Sequence, residues 1–254
     1  MKKFCFALCV SLCFFSESVI AQYNQKVIGA KTGFGNISIL NQNNYGQREM
    51  DYGPIYGISG GISFSAQIGL SNYLLIEGLW RQGGQDYEDQ FSGATFAKQL
   101  DFELIEIPIL FQHFFGSSNN EEDRITELPT GFYFLAGLSA SFLQKAEFAH
   151  QIDGSDVDFA TFYLQGGNAH QTQIQASAET KGRDLYGSVS AGVVGGFGYQ
   201  TKLSEKVLFL IELRGGVSVT DINAEEWRLA NKENKYDASR HGYLMLMAGL
   251  GFGI

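Results

Sequence analysis

The chain has 254 residues, a formal net charge of −9, and 44% hydrophobic and 14% aromatic residues; only 18% are charged, where ~25% is usual. Its 31 glycines, about 12% against a usual ~7%, have no three-residue period, which excludes a collagen-like chain. The aromatic content excludes a disordered chain, the acidic balance argues against a nucleic-acid partner, and the length fits one large domain or two small ones.

Residues 1–21 read as an export signal. Lys2 and Lys3 precede a short apolar run from Phe4 to Phe15, too short to span a bilayer, and Val19-Ile20-Ala21 is a small-x-small cleavage site. Cys5, Cys9 and Cys13 all lie inside this segment, and none follows a small residue as a lipoprotein cysteine would. Removing the segment, with its two lysines and one glutamate, leaves 233 residues without cysteine and a net charge of −10. Residues 22–254 are then expected to form one domain with no disulfide scaffold. No later apolar run approaches a transmembrane helix, but a membrane β-barrel spreads its signal over alternating strands.

The period is two nearly everywhere. Tyr56, Ile58, Ile62, Phe64, Ile68 and Leu70 alternate with Gly57, Ser59, Gly61, Ser63, Ser65 and Gln67. Side chains of a strand point alternately to its two faces, so one face is apolar and the other small and polar. Eight such segments are predicted, over about 26–40, 56–69, 73–83, 100–115, 131–147, 185–202, 206–220 and 242–253. Each has the ~9–11 residues that cross a bilayer at a tilt. The expected fold is an all-β, eight-stranded antiparallel up-and-down transmembrane barrel.

Short turns are expected at Asn72 and at Leu203-Ser204-Glu205, and longer connections after the first, third, fifth and seventh strands. Short turns face the periplasm and long loops the outside in outer-membrane barrels. The acidic stretch 116–130, which includes Asn119-Asn120-Glu121-Glu122-Asp123, is a long exception on the periplasmic side.

A soluble barrel would show the same alternation with its apolar face lining a ligand cavity. Ser59, Ser63 and Ser65 suit a crowded interior better than a water-facing surface, and Phe132, Phe134, Leu138 and Phe142 suit lipid. Tyr56, Tyr73, Trp80, Tyr186, Tyr199 and Tyr243 near strand ends are candidates for interfacial girdles, or simply good strand residues.

Several motifs in order carry a family resemblance. They are Gly29-Ala30-Lys31-Thr32-Gly33 followed by Asn36-Ile37-Ser38, then Ile76-Glu77-Gly78-Leu79, and Ile105-Glu106-Ile107-Pro108-Ile109-Leu110. Ala136-Gly137, Ile211-Glu212-Leu213-Arg214 and the end 246–252 complete them. The chain resembles the PorT-like outer-membrane β-barrel family, among small barrels of the OmpA/OmpX kind, although Gly35 adds a residue before Asn36 and Gly215 stands where an aromatic is usual. The resemblance implies an eight-stranded barrel in the outer membrane of a Gram-negative envelope and no single activity; some members resemble components of protein-secretion machinery. Gly249, Phe252 and Ile254 resemble the closing-strand signal read by barrel assembly machinery, with Ile254 in place of a terminal aromatic.

By parity Lys31, Glu77, Arg81, Glu106, Glu212 and Arg214 lie on polar faces. In a narrow lumen such charges must pair or be hydrated. An ionic network that plugs the barrel is expected, and a narrow charge-lined pore is the alternative. No catalytic, cofactor or metal site is expected. His113, His150, His170 and His241 have no Ser or Asp placed near them by a motif, and Asp153, Asp156 and Asp158 lack the EF-hand spacing. The functional expectation is an outer-membrane protein with a structural or surface-interaction role, holding acidic loops outward. Its partners would be outer-membrane lipid, barrel assembly machinery, and an envelope or surface protein met through loops 159–173 and 222–235, the latter carrying Trp227. A small transport pore, a secretion component and a soluble ligand-binding barrel are the alternatives.

Overall fold

The computed structural model describes residues 25–40, 50–115, 127–165, 182–228 and 236–254. The strands are β1 (Lys26–Leu40), β2 (Asp51–Gly69), β3 (Asn72–Phe91), β4 (Ala94–Phe114), β5 (Gly131–Ile152), a short β6 (Ser155–Val157), β7 (Val189–Lys202), β8 (Val207–Ser218) and β9 (Arg240–Gly253). A seven-residue helix, α1 (Phe159–Gln165), follows β6. The expected export signal, residues 116–126, and residues 166–173 and 229–235 of the two candidate partner loops lie outside the described residues.

Every long strand pairs antiparallel with two neighbours, in the order β4-β3-β2-β1-β9-β8-β7-β5. The pairing of β4 with β5, from Phe96↔Ile152 to Phe114↔Tyr133, closes the ring. The ring therefore has eight strands, with β6 folded back on β5 as a side hairpin. Closure removes the unpaired edges that an open sheet would expose.

The outward face is an apolar girdle. Phe34, Ile58, Ile62, Ile109, Phe132, Leu138, Phe197, Leu246 and Phe252 are each more than half exposed, with Ile62 at 70% and Leu138 at 68%. Scattered exposed apolar residues are ordinary, but a continuous band of this size belongs in a membrane or an interface. The band covers residues 28–34, 56–66, 74–80, 105–111, 132–142, 189–199, 209–219 and 244–252 of the successive long strands. On β5 it runs from Phe132 to Phe142, roughly 26 Å along the axis at ~3.4 Å per residue and a ~40° tilt, which matches the ~25 Å apolar band of such barrels. Both ends of the described ring, Lys26 of β1 and Gly253 of β9, share one rim with the β2–β3 and β7–β8 turns. By the short-turn rule this is the periplasmic rim.

Beyond the outer edge of the girdle the polarity inverts. The extensions of β3, β4 and β5 carry Asp86, Glu88, Gln99, Asp101, Glu103 and Glu147 on their outward face. Their inward face buries Tyr87, Phe96, Leu100, Phe102, Leu104, Leu143 and Ala146 against Ile37, Ile39, Leu185 and Ile222. The strands are thus inside-out in the bilayer and water-soluble in pattern above it.

This inversion corrects two expectations. The connection after β3 is not long: β3 and β4 continue to a two-residue turn, Ser92-Gly93, with φ of 51° and 86°. Such left-handed pairs match the twist of a tight hairpin, and glycine meets the second position without a Cβ clash. The segment 84–99 escapes detection because its alternation is kept while its polar and apolar faces exchange. In addition, residue 185 does not begin a strand; Leu185 ends a 3-10 turn, Gly182–Leu185, and is buried in the outer core.

Candidate functional site

The barrel interior is stacked in three layers, and its middle layer is ionic. Alternation brings Glu77 and Arg81 to the inner face of β3, and Glu212 and Arg214 to that of β8. Lys31 comes from β1 and Glu106 from β4. All six are buried, and both arginines have no exposed surface.

Four of them form one cluster. The Arg214 guanidinium grips both oxygens of Glu77 through Nη1 and Nη2, and its Nε donates to Glu212 Oε1 at 2.5 Å. Lys31 Nζ bridges the same two carboxylates, 2.6 Å from Glu77 Oε1 and 3.4 Å from Glu212 Oε2. Tyr133 donates its hydroxyl to Glu212 Oε2 at 3.0 Å. The second cluster is Arg81 with Glu106: Nε donates to Oε2 at 2.6 Å. Arg81 Nη2 reaches the Tyr243 hydroxyl at 3.2 Å, Nη1 reaches Met245 Sδ at 2.8 Å, and the guanidinium carbon lies 4.0 Å from the Tyr243 ring centre. Tyr243 in turn donates to Glu106 Oε1 at 3.3 Å.

Three cations face three anions, so the layer is neutral. Each carboxylate oxygen accepts at least one bond, the condition under which desolvated ion pairs are tolerated. The two tyrosines that complete the clusters need glycine opposite them. Tyr133 pairs across strands with Gly198, and Tyr243 with Gly216. A Cβ on either glycine would stand 2.6 Å from the facing ring. These glycines therefore let the rings lie against the barrel wall and aim their hydroxyls at Glu212 and Glu106.

The layers above and below are apolar. On the periplasmic side Tyr73, Phe114 and Tyr133 pack edge to face or tilted, with centroids 5.5 and 5.1 Å apart, over Leu75, Leu110 and Leu135. Gln25 accepts from the Tyr73 hydroxyl at 2.5 Å. On the outer side Phe162 of α1 is buried against Phe96, with centroids 5.6 Å apart, and against the His150 ring at 4.7 Å. Asp158 holds the start of α1 by accepting from Thr161 N at 2.8 Å and from its hydroxyl at 2.9 Å; these bonds hold its carboxyl below the usual range.

Other sequence candidates fall elsewhere. Of the girdle candidates, Tyr56 and Tyr199 face outward and Trp80 is half-buried, but Tyr73, Tyr186 and Tyr243 are buried inside and form no belt. Tyr73 and Tyr243 have the parity of the lumen, and Tyr186 precedes β7, held by an isolated bridge to Asn223. His150 lies on β5, buried in the outer cap. His113 Nδ1 lies 2.7 Å from Asn72 Oδ1 at the periplasmic rim, His241 is buried on β9, and His170 lies outside the described residues. Asp153 and Asp156 serve separate local bonds, to Thr95 N and to Gln151 Nε2.

Gly249 pairs with Lys31 and Leu210, Phe252 points outward at 53% exposure, and Ile254 lies just past β9 with its N–H bonded to Lys26 O at 3.0 Å. Trp227 is half-buried and packs on the outer core rather than standing free. A groove of about 470 Å³ crosses the outward face above the girdle; Asp51, Asp86, Glu88 and Gln99 line it, and Tyr87 and Lys98 reach its floor. Lys98, which carries no motif, was missed by sequence reasoning: it is 4% exposed beneath this face.

No family model matches the chain, and no curated protein matches it. Among solved structures, the outer membrane protein OprG from Pseudomonas aeruginosa aligns at a TM-score of 0.45 and 12% identity, over 92% of this chain and 97% of that one. Neisserial surface protein A aligns at 0.38 and 13% identity, over 89% and 96%. Ail, the attachment invasion locus protein of Yersinia pestis, solved with the heparin analogue sucrose octasulfate, aligns at 0.35 and 13% identity, over 90% and 99%. The closed ring and the apolar girdle described above stand on this chain's own strand pairing and exposure.

Proposed function

We propose that this protein is a non-conducting outer-membrane barrel whose role is structural or adhesive, presenting an acidic, folded outer surface to a partner. The observation that carries this reading is the neutral ionic layer, sealed between two apolar layers. An eight-stranded barrel leaves an interior that side chains just fill, and here they fill it with paired charges. The closed antiparallel ring of even strand number, the girdle and the short turns beside the chain ends are the arrangement of outer-membrane barrels.

The outward face of the extensions supports a surface role. Asp51, Asp86, Glu88, Asp101, Glu103 and Glu147 share it, and Lys145, 2.9 Å from Glu147, is the cation beside them. A basic or cation-bridged partner suits this charge. The closing strand β9, with Gly249, Phe252 and Ile254, is the segment that barrel assembly machinery would engage. The PorT-like resemblance rests on the ordered short motifs, and a part in envelope protein secretion follows from it alone. We propose no enzymatic role.

In planar bilayers the purified protein is expected to show no stepwise conductance above that of detergent-only controls. Regular ion-conducting steps that change size when Glu77 or Arg214 is replaced would instead favour the pore.

A further inference from the structure

Among the described residues, the outer cap contains a buried lysine with no ion-pair partner. Lys98 points inward from β4, is almost fully buried, and lays its ammonium 4.2 Å from the centre of the Tyr87 ring and 5.5 Å from that of Phe148. Aromatic faces partly compensate a desolvated cation but do not replace a carboxylate.

The groups around it come from every neighbouring strand. On β3 it pairs with Tyr87, which is itself tilted against Tyr52 of β2 at 6.5 Å; half-buried Asp89, two residues along the same face of β3, pairs with Phe96 and is the carboxylate on this strand's inward side. On β5 it pairs with His150, whose ring lies 5.4 Å from Phe148. On β6 Val157 pairs with His150, while Asp156 turns outward to Gln151. Asp158, exposed before α1, is the carboxylate whose charge His150 feels. The other face of the His150 neighbourhood is Phe162, the residue that seats α1 on the barrel. Lys98, His150 and Phe162 thus form a line from the strand wall to the cap helix.

We propose that this line is a proton-linked latch: uptake of a proton by Lys98 loosens the seat of α1 on the outer end of the barrel. Charging Lys98 beside His150, in a layer that also holds Phe96, Phe148 and Phe162, calls for water or a counter-ion, and lifting the helix from His150 would open the layer to both. Burial pushes the Lys98 amine down to about 7 in the closed cap, against an ordinary value of about 10.4 when the cap is open to water. Burial, then the nearby Lys98 charge, pushes His150 down to about 3, so His150 stays neutral through the same range.

The sign follows from linkage. Between about pH 10 and 7 the open form holds the proton and the closed form does not, so the cap weakens as pH falls through this window. Below about 7 both forms are protonated and the dependence flattens. One linked proton changes the opening equilibrium about tenfold per pH unit inside the window.

The test is hydrogen–deuterium exchange of the full chain folded in detergent micelles, at pH 6, 7, 8 and 9 and corrected for intrinsic exchange. The readout is the amides of residues 159–165, with residues 132–142 of β5 as internal control. In the wild type the opening of 159–165 should rise about tenfold per unit from pH 9 to 7 and level off by pH 6, while 132–142 stays constant. Lys98→Met should remove the slope and keep the cap closed at every pH. Lys98→Arg, charged throughout, should hold the cap open even at pH 9, and it decides the matter if Lys98→Met does not fold. A flat wild-type profile, an unchanged slope in Lys98→Met, or a closed cap in Lys98→Arg would overturn the latch.

Discussion

Replacing Arg214 with methionine is expected to destabilise the barrel by about 3–5 kcal/mol, the usual cost of removing one partner from a buried charge cluster. Arg214 contacts both Glu77 and Glu212, and its loss leaves two buried carboxylates with Lys31 alone between them. The charge left over has no route to water, because apolar layers lie above and below. Methionine fills much of the volume, so the loss reports charge rather than a cavity. The double variant Arg214→Met with Glu77→Gln restores neutrality and should recover a substantial part of it. Urea unfolding in micelles, followed by the heat-shifted gel band, measures both. A loss below about 1 kcal/mol in the single variant would mean that water hydrates the layer, as in an open pore.

The second large effect is expected on the opposite face. Leu138 sits near the middle of the β5 girdle segment and is 68% exposed. In a soluble protein an arginine at so exposed a site would cost almost nothing, since surface substitutions stay within about 0.5 kcal/mol. In a bilayer the same Leu138→Arg change should cost about 2–4 kcal/mol, as for charges at the midplane of lipid-facing strands. Glu147→Arg, on the same strand but above the girdle, should be close to neutral. Folding into lipid vesicles rather than micelles gives the clearest contrast. Equal tolerance at both positions would argue against a lipid-facing surface.

The transmembrane half of the molecule is legible in the sequence because lipid imposes a strict rule. Every second residue of each crossing must be apolar while the inner ones are free to be small, polar or charged, so parity alone separates Ile62 from Ser63 and Ile211 from Glu212. Parity likewise puts Lys31, Glu77, Arg81, Glu106, Glu212 and Arg214 on one face, and the structure places them in one interior layer. Which cation meets which anion depends on register and tilt, which no single strand encodes. The roles of Tyr133 and Tyr243 were hidden for the same reason. Each depends on a glycine opposite it on another strand, Gly198 or Gly216.

Above the membrane the rule reverses, and the sequence does not mark where. Residues 84–99 alternate like the strands below them, but their apolar side turns inward, so by sequence the hairpin resembles a loop. Lys98 and His150 look like ordinary polar residues of such a loop. Lys98 is buried against Tyr87 and Phe148 of the neighbouring strands, and His150 against Phe162 of α1. Aromatic girdle positions failed on a similar point: Tyr73 and Tyr243 stand near strand ends, but side is set by parity and not by distance from the turn.

The most direct test of a membrane-spanning closed barrel is where the full-length protein goes when expressed in a Gram-negative host, and how it runs on a gel. Recovery in the detergent-resistant outer-membrane fraction, with a compact band that shifts to the position of the unfolded chain on boiling, is the predicted result. Recovery in the soluble periplasm, with no difference between boiled and unboiled samples, would contradict it.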